Sequence, residues 1–176
     1  MKKLLLYSCL GLLLFSCTEN KTSTGSTEKV QSKDTLKYPY TATYSSQFEM
    51  GNNDYAKTIL DLWKDYDNNE LTKGSANFAD TVTIFLANGM VLQGPKDSVI
   101  AKVQVARSRF DSVRSIVDVW LPLHSIDKND HWVCVWGLEI DNKNGKKDST
   151  SLNENWRFNK NGKIDYMSQY AATGGK

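Results

Sequence analysis

From Arg114 onward the apolar residues of this chain stop recurring every three or four positions and alternate every second one instead, almost to the end. Ahead of that point, YAKTILDLWKDYDNNEL spaces Tyr55, Ile59, Leu62, Trp63 and Tyr66 as one broad helical face. Beyond it, RSIVDVWLPLH, HWVCVWGLEI, DSTSLNENWRF and KIDYMSQY read as four strands. A change of period at one place confines the fold. Helices come first and a meander of long strands must then wrap on them, which gives an α+β architecture with a strongly curved antiparallel sheet.

The elements between follow from local signals. Asn52 to Asp54 offers caps for the first helix. A short second helix is expected around Glu70 to Phe78, then a hairpin in TVTIFLANGMVL. GPKDSVIAKVQVARSRF follows as a helix, with Pro95 near its first turn, Val99, Val103, Ala106 and Phe110 on one face, and Lys102, Arg107 and Arg109 on a solvated opposite face. The pentapeptide NKNGK occurs twice, at Asn142 to Lys146 and Asn159 to Lys163, and a third Asn-Gly is Asn88-Gly89. Each is read as a tight hairpin turn whose Asn and Gly both take positive φ. A pair of calcium loops is excluded: with Gly at loop position six, Ile140 and Arg157 would stand where a carboxylate is required, and Ser151 and Ser168 where a bidentate Glu is required.

At the amino end, MKKLLLYSCLGLLLFS has the two lysines and apolar run of a secretory signal, too short for the roughly 20 residues of a spanning helix. Leu14-Phe15-Ser16-Cys17 resembles the lipobox of bacterial lipoproteins. That resemblance implies cleavage before Cys17, diacylation of its thiol and a membrane anchor there. Cys9 would leave only Leu4 to Ser8 as an apolar core, shorter than the roughly 7–15 residues needed. An ordinary cleaved signal or an uncleaved anchor is the alternative. The expected organisation is a signal over 1–16, a lipidated cysteine and tether over 17–44, and a domain over 48–172. The tether is Ser, Thr, Lys and Glu with few apolar residues, and would hold the domain about 30 Å from the membrane on average. Thr18 is not the aspartate associated with inner-membrane retention, so the expected place is the cell envelope, on the outer membrane facing the periplasm.

Charge and cysteine exclude several classes. The chain carries 22 basic and 20 acidic residues, and without Lys2 and Lys3 the domain and tether balance, with no Lys/Arg run longer than two; nucleic acid is excluded as a partner. Cys134, in WVCVW between His124 and His131, reads as a small strand residue rather than a nucleophile. Two histidines in different surroundings and no cysteine pair give no metal set, and no phosphate loop or serine-nucleophile motif implies a cofactor or that chemistry. Strands such as IVDVWLPL are apolar on both faces, so a second protomer or a helix is expected against the outer, convex face of the sheet.

In their order and spacing, FADTVTIF after a helix, QGPKDSVIAKV opening the next, and ENWRFNKNGKI in the late strands resemble the cone-shaped, cystatin-like α+β roll shared by SnoaL-like polyketide cyclases, ketosteroid isomerases and nuclear transport factor 2. The resemblance covers about Asp54 to Tyr170. Its isomerase chemistry transfers poorly: Leu86 falls where that family's carboxylate base stands and Leu62 where its helix-one tyrosine stands, while Glu154 falls on the protonated acid. One match of three does not support proton transfer by that mechanism.

Glu154 also stands out without the family. Strand parity sets it with Leu152, Trp156 and Phe158, and burial on such a face would raise its pKa. Asp118 and His124, sharing a face with Trp120 and Pro122, are the candidate bases, and Tyr55, Trp63, Trp120 and Trp156 the candidate pocket aromatics. The expected function is binding of a small apolar or aromatic molecule in the cone of a lipid-anchored protein. The alternatives are an enzyme using Glu154 as general acid on a carbonyl compound and a non-catalytic dimerisation module.

Overall fold

The computed structural model describes residues 37–173; the signal, Cys9, Cys17 and most of the tether lie outside the described residues. Every described helix and strand belongs to one compact unit within Tyr40–Lys176. A short strand, β1 (Phe48–Met50), escaped the sequence reading because three residues carry no period. Asn52 then caps α1 (Asn53–Asp67), its side chain accepting the Asp54 N–H at 2.9 Å. α1 buries Ala56, Ile59, Leu62 and Trp63, the helical face expected from the spacing.

A 3-10 helix (Leu71–Asn77) leads to the hairpin β2 (Phe78–Phe85) and β3 (Val91–Pro95), which is followed by α2 (Lys96–Arg107). The meander comprises β4 (Ser112–Ser125), β5 (Asp130–Lys143), β6 (Lys146–Phe158) and β7 (Ile164–Thr173). All form one sheet in the order β1-β4-β5-β6-β7-β2-β3. Its pairings are antiparallel except β2 with β7, which is parallel, so the expected fold class holds with a mixed junction where the chain's first hairpin joins its last strand.

The core lies between α1 and the inner face of the sheet, with Ile59, Val133, Val135, Ile164 and Phe158 almost wholly removed from water. Burial of each such side chain contributes roughly 1.5–3 kcal/mol. The opposite face of β4 and β5 leaves Ile116, Val119 and Trp136 between 39% and 52% exposed, an apolar patch on the outer side of the sheet.

The three Asn-Gly turns differ from the common expectation. Only Asn144-Gly145 has both residues at positive φ (54° and 76°), with Lys143 and Lys146 paired across a two-residue loop. At the second NKNGK only Gly162 is positive (68°), and the Asn159 N–H reaches Lys163 O at 2.8 Å across a three-residue loop; Gly89 and the Leu86-to-Met90 bond repeat that pattern. Loop length selects the turn, and a three-residue loop needs left-handed backbone at its last position alone.

The α2 reading also needs correction at Arg107, which is 3% exposed rather than solvated. It lies one turn beyond Val103 on the same side of α2. Its guanidinium donates to Tyr66 O at 2.7 Å, Asp67 O at 2.7 Å and Phe110 O at 3.1 Å, and so caps the carbonyl end of α1.

Candidate functional site

Gly137 is the smallest piece of the site and sets the rest. A Cβ there would stand 2.5 Å from Ile116 O and 3.0 Å from the Trp63 ring, so its absence leaves room for the α1 indole to approach β5 closely. Trp63 is thereby placed with its Nε1–H on Glu154 Oε2 at 2.7 Å. Trp156, two residues along β6, donates to the same oxygen at 3.0 Å, and Gln169, directly across on β7, donates to Oε1 at 2.9 Å. Three strongly placed N–H donors therefore surround one buried carboxyl.

Glu154 is 6% exposed, on the inner face with Leu152, Trp156 and Phe158, as its parity requires. Burial pushes its pKa up, while the three hydrogen bonds pull the other way. Indole can only donate, so two of the three bonds are made to an acceptor oxygen.

This floor opens into a cavity of about 780 Å³ between α1, α2 and the inner face of the sheet. Phe78, Ile84, Leu86 and Met167 line its walls, while Met90 at the β2–β3 turn and Val105 on α2, both exposed, stand at its mouth. A concave apolar space with few polar groups is the usual form of a small-molecule site.

A second acid lines the same cavity and was not singled out by sequence reasoning. Glu139 on β5 faces inward with Val133, Val135 and Gly137, opposite Ser115 on β4 and Thr150 on β6. Since Val135 is paired with Glu154, Glu139 sits four residues, about 13 Å, further along the strands toward the β5–β6 turn. Burial, then the carboxylates of Glu154, Asp141 and Asp67, raise its pKa to about 7, with Arg107 opposing. Unlike Glu154, it makes no hydrogen bond or ion pair among the described residues. The signal was present: Glu139 has the parity of three buried neighbours in WVCVWGLEI.

The other predicted site residues are elsewhere. A bulge falls between Val117 and Val119, which throws Asp118 out of the alternation and leaves it exposed. Trp120 is half exposed, and neither it nor Asp118 lines the cavity. His124 binds Glu49 at 3.0 Å and stacks on His131, which in turn stacks on Tyr55; none of the three borders the cavity either. Of the candidates, the structure brings together Glu154, Trp63 and Trp156 and separates Asp118, His124, Trp120 and Tyr55 from them. Cys134 has its pKa raised by burial, the reverse of an activated thiol.

No protein-family model matches the sequence and no curated protein matches it. Solved structures do. AusH from Aspergillus nidulans superposes with a TM-score of 0.56 at 13% identity, over 73% of this chain and 90% of that one. An LEH-like epoxide hydrolase from M. tuberculosis gives 0.56 at 8% identity, over 68% and 84%. A protein of the NTF2-like family from Streptomyces avermitilis gives 0.52 at 10% identity, over 68% and 94%. Identities this low carry the architecture and no activity. The described domain has the cone-shaped fold of the NTF2-like and SnoaL-like proteins.

Proposed function

We propose that this chain is a lipid-anchored cell-envelope protein whose cone binds a small apolar or aromatic molecule. The observation that carries the binding role is the cavity itself, about 780 Å³ with predominantly apolar walls and a buried carboxyl fixed at its floor. The lipobox-like Leu14 to Cys17 supports the anchor, and the tether from Thr18 supports a domain held away from the bilayer, at the outer membrane facing the periplasm. The exposed Ile116, Val119 and Trp136 support a homodimer through that sheet face.

A neutral fluorescent probe, N-phenyl-1-naphthylamine, tests the binding role. Its uptake should quench Trp63 and Trp156, and Leu86→Trp, which fills space at the cavity wall, should weaken binding about tenfold or more, roughly 1.4 kcal/mol. Uptake that Leu86→Trp leaves unchanged, or no uptake at all, overturns the reading.

The second reading, an enzyme using Glu154 as general acid on a carbonyl compound, is favoured by the burial of that carboxyl. Its partners argue against it, because three N–H donors all stabilise the ionised form rather than the acid. Proton exchange into a carbonyl probe that disappears in Glu154→Gln would establish it.

A further inference from the structure

The polar groups of the cavity are unequal in a way that selects a ligand. The Nε1–H groups of Trp63 and Trp156 and the Gln169 amide are spent on Glu154. The Arg107 guanidinium, whose charge opposes the carboxylates around Glu139, is spent on three backbone carbonyls. The Ser115 hydroxyl donates to Asp67 at 2.8 Å. The carboxyl of Glu139 is left without a hydrogen bond or ion pair of its own among the described residues, as are the Tyr66 and Thr150 hydroxyls, while Lys102 and Arg109 line the cavity from exposed positions on and just after α2.

The groups that face Glu139 set the sign of the field. Asp67 and Tyr66 face it from α1, Asp141 along β5, Glu154 from β6 and Arg107 from α2. Lys64 stands 3.8 Å from Asp67 and offsets part of that charge. Beside Glu139 the carboxylates outnumber the guanidinium, and the two cations that line the cavity, Lys102 and Arg109, are exposed and screened by water, so a cation placed beside Glu139 is attracted and an anion repelled. A half-buried carboxylate without a partner is costly, and a ligand ammonium would supply that partner.

We propose that the cavity selects an amphiphile with an apolar body and a single ammonium group, and that Glu139 is the residue that reads the ammonium. This rests on the binding reading above. The apolar body lies against Ile84, Leu86 and Met167, and Glu154 stays bonded to its indoles as part of the floor.

The test is calorimetric titration of the full chain with octylamine, octanol and octanoate at pH 8. Octylamine should bind about tenfold to a hundredfold more tightly than octanol, with octanoate weakest. Glu139→Gln should abolish the preference for octylamine over octanol, and Glu139→Asp should restore part of it. Octylamine affinity should rise from pH 5.5 to 8 as Glu139 ionises. Octanol binding without an amine preference, or a preference that survives Glu139→Gln, overturns the inference and leaves the binding role standing. Binding of none of the three overturns both.

Discussion

Glu154 and Glu139 are two glutamates on neighbouring strands, facing the same cavity about 13 Å apart along the sheet, with opposite surroundings. Glu154 has three donors and little exposure; Glu139 has none among the described residues and keeps some contact with water. The difference shows that burial alone does not mark a working group. A carboxyl whose two oxygens both accept hydrogen bonds, three in all, holds α1 to β6 and β7, whereas one left without any at the same surface is available to a ligand.

Leucine substitution separates the two most sharply. In Glu154→Leu, two indole N–H groups and an amide lose their acceptor, and each orphaned donor costs about 1–3 kcal/mol, partly offset by removal of a buried carboxyl. The expected loss is about 2–4 kcal/mol in denaturant midpoints. Glu139→Leu orphans nothing and removes a desolvated acid, so it should be neutral or stabilising by up to about 1 kcal/mol. If Glu154→Leu melts higher than the parent, Glu154 is strained rather than satisfied and the contrast collapses.

Arg107 sharpens the same contrast from the other side. Arg107→Met removes the cap on Tyr66 O, Asp67 O and Phe110 O and should cost about 2–3 kcal/mol. Lysine cannot span three carbonyls with one ammonium, so Arg107→Lys should recover less than half. Loss of the guanidinium also removes an opposing influence on Glu139, whose titration, followed by carboxyl NMR, should move further up. An unmoved titration would mean that Arg107 acts on α1 alone.

Much of this was legible in the sequence. The period change at Arg114 gave the order of helices and strands, and the parity of LNENWRF placed Glu154 inward with Trp156. What escaped has physical causes. The bulge at Asp118 inserts one residue into β4, and no single-strand pattern reveals an insertion that only a partner strand can count. The charge of Arg107 argues for water, whereas its spacing from Val103 sets it on the buried side of α2, and packing decides. The two NKNGK copies fold differently because the pairing on either side sets loop length, and the pentapeptide carries no record of that pairing. Glu139 was overlooked since an acid in an apolar strand attracts notice only when its buried neighbours are counted with it.

The smallest effect is the pH dependence of stability, and it carries the contrast into solution. Glu139 holds its proton to about pH 7 when folded, against an ordinary carboxyl value of 4.5 when unfolded. At pH 4 both states are protonated and nothing is lost. Between 4.5 and 7 the unfolded chain releases the proton while the folded one keeps it, so stability falls as pH rises, and above 7 the full penalty is present. With partial exposure discounted, the loss is on the order of 1 kcal/mol. Glu154 is also raised and contributes in the same direction, so Glu139→Gln should flatten only part of the slope between pH 4.5 and 7 and make the domain more stable than the parent at pH 8. Denaturation midpoints of the parent and Glu139→Gln across that interval decide it. An unchanged slope would place Glu139 in effectively bulk water and remove the distinction between the two acids.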